Sequence, residues 1–178
     1  MAHDTLINYM SCQRINCYDT CMQVTVHIEP ITANDLDEII DLGEALQIVE
    51  QQYEPLLIFN RKESRSHYEK ELSNPDALII AAKLDDGTIV GYQYSYVHTL
   101  DYLSSKNREC VLEALYVNPS FRGQGIGRQL TDYAQDWAIS TKAVNRLSTH
   151  IYSDNVASVE LHAKKGFNPY NTELVKHV

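Results

Sequence analysis

Val24, Val26 and Ile28 alternate with polar residues and the run stops at Pro30, the period of a short, half-buried strand. Thr32 then stands where a helix N-cap belongs. Asp35, Asp37 and Glu38 fill the first turn, where the helix dipole favours negative charge, and Leu36, Ile39, Ile40, Leu42, Leu46 and Val49 recur at helical spacing. A second, more polar helix is predicted from Arg61 to Leu72, closed by Asn74 and Pro75. Two strand patterns follow, Ala77 to Leu84 and Thr88 to His98, joined by Asp85-Asp86-Gly87, whose Asp-Gly pair suits a hairpin turn. Tyr92, Tyr94 and Tyr96 share one face of the second strand, as packed aromatics or as a stacking platform. Val111 to Val117 reads as a strand, Gly125 to Ser140 as an amphipathic helix and Arg146 to Tyr152 as another strand. Val156 to Lys165 is a helix closed by Gly166, and Thr172 to Val178 is a final strand. The order β, α, α, β, β, β, α, β, α, β defines an α+β class, a single mixed α/β domain whose later strands alternate with helices.

Residues 1 to 21 lack a sustained apolar period and are expected to form a loosely attached N-terminal extension, with the domain running from 22 to 178. With 178 residues, 44% hydrophobic and 22% charged, the chain has ordinary globular usage for one domain. It contains neither an apolar run of about 18 residues nor a basic, then apolar, leader, so the expectation is a soluble, cytoplasmic protein without a membrane partner. A net charge of −9 and a pI near 5.1 argue against a nucleic-acid partner. The acids are concentrated: residues 22 to 100 hold 14 acids and 5 bases, residues 101 to 178 hold 8 and 9. The first half therefore suits a cation and the second a phosphorylated ligand, unless the acids are merely a solvated face. Cys12, Cys17 and Cys21 lack the paired spacing of a metal or redox motif and Cys110 stands alone, so no metal site is expected.

Chemistry is concentrated in Leu115-Tyr116-Val117-Asn118-Pro119-Ser120-Phe121-Arg122-Gly123-Gln124-Gly125-Ile126-Gly127. A strand here runs into a Gly-rich loop that opens a helix, so backbone amides collect beside the positive end of a helix dipole and form an anion cradle. Glycine lets a ligand approach the main chain closely, and Arg122 and Arg128 bracket the loop with charge. The spacing is neither the GxGxxG dinucleotide fingerprint nor a P-loop, since Arg128 follows Gly127 where GK[ST] would be needed. Taken alone, this is a phosphate loop of unspecified type, or a Gly-rich helix start that binds nothing.

Arg122, Gly125 and Gly127 match the [QR]xxGx[GA] signature of the GNAT superfamily of acyl-CoA-dependent N-acetyltransferases, which the chain resembles. Leu112 to Val117 resembles the family's preceding strand, and Asn155-Val156-Ala157-Ser158-Val159-Glu160-Leu161-His162-Ala163-Lys164-Lys165-Gly166-Phe167 resembles its NxxAxxLYxKxGF helix. The resemblance covers residues 24 to 178 in element order and is strongest over 111 to 167. It implies a GNAT-like central mixed β-sheet flanked by helices, with acetyl-CoA as acyl-donor cosubstrate. Leu115, Tyr116 and Val117 would pair with the pantetheine arm through their backbones, and the amides of Gly123, Gln124, Gly125, Ile126, Gly127 and Arg128 would hold the pyrophosphate, with Arg122 beside them. Asn155 would touch the pantetheine, cap its own helix, or do both.

Where the family usually has a tyrosine that protonates the leaving thiolate, this chain has His162, on the same helical face as Asn155 and Val159. Histidine can take that role near neutral pH, with Tyr152 and Tyr170 as reserve donors. A primary amine with a pKa of about 10.4 also costs roughly 4.6 kcal/mol to present neutral at pH 7. Glu113, read as sharing a strand face with Leu115 and Val117, is the candidate base, or else an exposed strand carboxylate. Cys110 lacks an adjacent base and is a poor nucleophile. The resemblance thus implies acetyl transfer to a primary amine of a small cationic metabolite, an antibiotic, or a peptide or protein. The alternative is a non-catalytic acyl-CoA-binding regulatory module. A homodimer is the family's habit.

Overall fold

A computed structural model describes residues 24–100 and 107–176. The predicted extension, 1 to 21, and the final His177-Val178 lie outside the described residues. Strand β1 (His27–Pro30) leads through a 3-10 turn, 33–35, into α1 (Leu36–Glu50); α2 (Arg61–Glu71), β2 (Ala77–Lys83), β3 (Ile89–Leu100) and β4 (Asn107–Val117) follow. A 3-10 turn at 119–121 precedes α3 (Ile126–Lys142), β5 (Arg146–Ser148) and α4 (Val156–Lys164). The five strands lie in chain order, antiparallel from β1 to β4, with β5 parallel to β4.

Local chemistry explains most of these boundaries. The Thr32 amide donates to the Asp35 carboxylate at 2.7 Å, which fixes the entry to α1, and Asn60 Oδ1 accepts from the Glu63 amide to start α2. Gly87, at φ +89°, closes the β2–β3 hairpin in a conformation that a residue with a Cβ adopts only with strain. Each face of the sheet buries its own core. Leu36, Ile39, Ile40 and Tyr68 of α1 and α2 pack on Tyr92, Tyr94 and Tyr116. On the other face Ile126, Leu130, Ala134 and Ala138 of α3 pack on Ile80, Val90, Val97, Cys110 and Leu112. The tyrosine ladder is therefore core at its base, with Tyr92 and Tyr94 buried, and only Tyr96 half-buried.

Three expectations need correction. β1 begins at His27 rather than Val24, because only 27–30 find partners on β2. β5 ends at Ser148 rather than Tyr152, because the β4–β5 ladder stops at Val111↔Ser148 and the strands diverge. Residues 172–176 form no strand: Leu174 and Val175 are exposed, and an alternating pattern without a neighbouring edge gains no ladder bonds.

Candidate active site

The divergence of β4 from β5 makes the site. β4 continues to Val117 with β3 on one side, while the ladder to β5 ends at Ser148, so that among the described residues the other edge of β4 has no strand neighbour beyond Val111. A slot of about 50 Å³ occupies the gap. Leu112, Glu113 and Leu115 line it from β4, Thr149 to Tyr152 from the segment after β5, and Asn155, Ser158 and His162 from α4; Leu46 and Glu50 close it from α1. A wider surface hollow of about 580 Å³, lined by Thr32, Leu36, Arg65 and Glu69 among others, contains none of the sequence-predicted site residues.

At the end of β4 the chain enters the Gly-rich loop. Gly123 and Gly125 have φ values of +77° and +80°, and a Cβ built on either meets no atom within 4 Å, so both glycines face open space in a backbone conformation that disfavours side chains. The first backbone bond of α3 runs from the Gln129 amide to the Gly125 carbonyl at 3.0 Å, which leaves the amides of Ile126, Gly127 and Arg128 outside the helical ladder. These features make a cradle that fits a diphosphate. Gly127 differs: its φ is ordinary and its place is against Leu161 and Val117. The Ile126 side chain is buried in the α3 core, so only its backbone belongs to the loop.

The side chains around the cradle divide. Arg122 folds back, its Nε donating to the Val117 carbonyl at 2.8 Å and its guanidinium lying 5.4 Å from the centre of the Tyr116 ring, so it braces the strand end. The Gln124 side chain turns toward the residues ahead of β1, where Oε1 accepts from the Val24 amide. Arg128 remains exposed, with Asp132 3.7 Å away. Lys165, which the sequence alone did not single out, also reaches Asp132; burial, followed by the Arg128 charge, lowers its pKa.

Glu113 is a β-bulge. Tyr94 pairs with Ala114 and Ser95 with Leu112, so Glu113 is the extra residue on β4. The bulge breaks the alternation: Leu115 and Val117 pack toward α3, whereas the Glu113 charge acts on Glu50, Tyr68, Tyr94 and Tyr96 across the opposite face. The expectation of one shared face with Leu115 and Val117 fails for that reason. Glu50, the last residue of α1, is the second carboxylate in the slot. Burial and then the negative charge of Glu113 raise its pKa. Tyr53 and Tyr152 stack beside it, centroids 5.3 Å apart and 19° between planes.

Asn155 Oδ1 accepts from the Ser158 amide at 3.3 Å and caps α4, while the residue also lines the slot, so the two readings coexist. His162 is only 4% exposed. Its Nδ1 lies 2.9 Å from the Ser158 carbonyl oxygen, and Phe167 meets the ring edge-on at 5.4 Å. Burial lowers its pKa, partly opposed by the bond to Ser158. Of the reserve donors, Tyr152 lines the slot, whereas Tyr170 is exposed beneath Arg146 at 4.3 Å. Cys110 is fully buried, and burial, followed by the Glu109 charge, pushes its thiol up to about 12, which makes it inert as a nucleophile.

A mixed five-stranded sheet in which β4, parallel to β5 only as far as Val111, runs on into a glycine loop at a helix N-terminus defines an α/β domain with an anion cradle beside a sheet edge. Residues 44–167 match the family model described as Acetyltransferase (GNAT) family, and the chain belongs to that family. It is 27% identical over 100 residues to an aminoglycoside N(6')-acetyltransferase type 1 of Salmonella typhimurium, covering 55% of this chain and 68% of that protein. Among solved structures, a tetramutant of a Bacillus halodurans protein superposes with a TM-score of 0.74 at 14% identity, covering 85% of this chain and 99% of the other. Aminoglycoside N-acetyltransferase AAC(6')-Iy, in complex with a bisubstrate analogue of CoA and acetylneamine, gives 0.71 at 19%, covering 86% and 98%. At these identities the structural likeness speaks for the fold alone.

Proposed function

We propose that the chain transfers the acetyl group of acetyl-CoA directly to a primary amine. The reading rests on β4, which lines the slot at Leu112, Glu113 and Leu115 and ends at Val117, just ahead of the glycine loop: beyond Val111 its outer edge has no strand partner among the described residues, which suits an extended amide-bearing arm, and the amides at the start of α3 suit a diphosphate. Leu115, Tyr116 and Val117 supply that edge, Asn155 the opposite wall, and the amides from Gly123 to Arg128 the diphosphate cradle. When bound, acetyl-CoA supplies an activated acyl group and a thiol leaving group. The chain's own residues place the acceptor and move its protons.

Glu113 and Glu50 face the slot from two elements, with Tyr53 and Tyr152 beside them, and a cationic amine is the ligand such walls favour. The acidic N-terminal half and the likeness to an aminoglycoside acetyltransferase support small polycationic amines as acceptors, with antibiotic, metabolite and peptide amines as the panel to try. Glu113 acts as a proton acceptor, directly or through water, and His162 is the second proton-handling group at the thioester. Calorimetry with CoA is the test: binding in the wild-type chain, lost when the cradle is blocked, is the expected result, and equal affinity in both would refute the assignment.

A further inference from the structure

His162 sits at the base of the slot with its two ring nitrogens in different situations. Nδ1 is 2.9 Å from the Ser158 carbonyl oxygen, an atom that can only accept, so Nδ1 carries a hydrogen. The Ser158 hydroxyl is a long 3.5 Å away and does not compete. A neutral imidazole with hydrogen on Nδ1 has a lone pair on Nε2, and no hydrogen bond engages Nε2 among the described residues. We infer that His162 meets its substrates as a proton acceptor through Nε2, takes a proton from the incoming ammonium group and returns that proton to the departing sulfur. This rests on the reading of the slot as an acetyl-transfer site.

The other titratable groups facing the slot are Glu50 from α1, Glu113 from β4, and His150 and Tyr152 from the segment after β5. Ordinary pKa values favour an imidazole over a carboxylate, by a margin that burial narrows at His162 and Glu50, and the Nε2 lone pair left open by the Nδ1 bond singles out His162. An ammonium near 10.4 gives its proton to an imidazole near 6.5 at a cost of about four powers of ten, against about six for a carboxylate near 4.3. Tyrosine carries its own proton until about pH 10 and has nothing to accept with. His150 is exposed, whereas His162 is buried at the floor, below Asn155 and Ser158 on the same helix. Nε2 takes one proton, and the freed amine forms the C–N bond as the C–S bond breaks. The imidazolium then protonates the thiolate, a downhill transfer because a thiol near 8.5 holds its proton more tightly. The second nitrogen proton leaves through Glu113 to solvent.

Nitrogen-15 spectra of histidine-labelled protein at pH 7.5, with His162 assigned by its loss in His162→Gln, should show the tautomer protonated on Nδ1. The kcat/KM profile for an amine acceptor should rise through an apparent pKa below 6.5 in the wild type, and this limb should vanish in His162→Gln. Turnover of His162→Tyr, which restores a donor and removes the acceptor, should fall by ~10² to 10³, with CoA affinity and melting temperature retained as the check on folding. An Nε2-protonated tautomer, a limb that persists in His162→Gln, or a tyrosine variant within about threefold of wild type would each overturn the acceptor role. These outcomes presuppose a wild type that acetylates amines. A wild type that binds CoA and acetylates no amine removes the transfer reading itself, and the shuttle with it.

Discussion

Glu50 is held in the slot at a cost. Its pKa in the folded protein is raised, by burial and then by Glu113, so the folded state holds a proton that the unfolded chain releases near pH 4.5. Stability therefore falls as pH rises from that value through the folded pKa, and the loss is complete above it. Glu50→Gln should melt higher than wild type at about pH 7.5, with the gap closing at about pH 4, and should raise KM for a cationic acceptor more than for CoA. Parallel melting curves and steady-state kinetics check both; a variant that melts lower at neutral pH would mean that Glu50 is stabilised by a partner. Gly125 gives the complementary case. Its φ of +80° disfavours a β-branched residue, yet nothing within 4 Å would clash with a Cβ. Gly125→Val should cost roughly 1 to 3 kcal/mol of stability, remain folded, and lose CoA binding by at least tenfold in calorimetry. At this scale Gly125, Gly127, Asn155 and His162 stand out in the sequence because they fall within the motifs that resemble the family's. Glu50 is not, since a glutamate at a helix end reads as solvated until α1 is docked against β4. Arg122 reads as a phosphate ligand in the sequence because spacing does not tell that its side chain turns back onto Val117 and Tyr116.

Among elements, β4 matters most. One extra residue, Glu113, moves a carboxylate to the tyrosine-bearing face while Leu115 stays with α3, and a two-residue alternation cannot reveal such an insertion. The β4 edge is held on its other side by β3, where Gly91 lies opposite Val117. A Cβ at Gly91 would stand 2.8 Å from the Tyr116 carbonyl oxygen, backbone that has little room to yield. Gly91→Ala should thus destabilise by about 1 to 3 kcal/mol and weaken CoA binding through displacement of β4. Chemical denaturation alongside calorimetry checks it; an unchanged midpoint would show that the β3–β4 pair tolerates the shift. The helices and hairpin are predictable from caps, stripes and the Asp-Gly turn, each a local signal. Where β5 stops and whether the tail pairs depend on a neighbouring edge, which lies far away in sequence. Thr149 to Tyr152 therefore carry a strand pattern and instead form a wall of the slot.

Across the whole molecule, the charge map and the fold agree in direction. The acid-rich half contributes α1 and Glu50, and the balanced half contributes the glycine cradle with Arg128 and Lys165 nearby. A cationic acceptor at the slot and an anionic donor at the cradle would each meet complementary charge, and raised salt should weaken both encounters. Among the described residues no helix is long and apolar enough to cross a membrane. Release of free thiol from acetyl-CoA across a panel of aminoglycosides, polyamines and peptide amines, with the amide product confirmed by mass, is the decisive measurement of acetyl transfer. Thiol release should depend on the amine, be abolished by Gly125→Val and be reduced by Glu113→Gln, with the latter defect easing at high pH. Tight CoA binding with no amine raising thiol release above the solvent rate would contradict acetyl transfer and leave an acyl-CoA-binding module in its place.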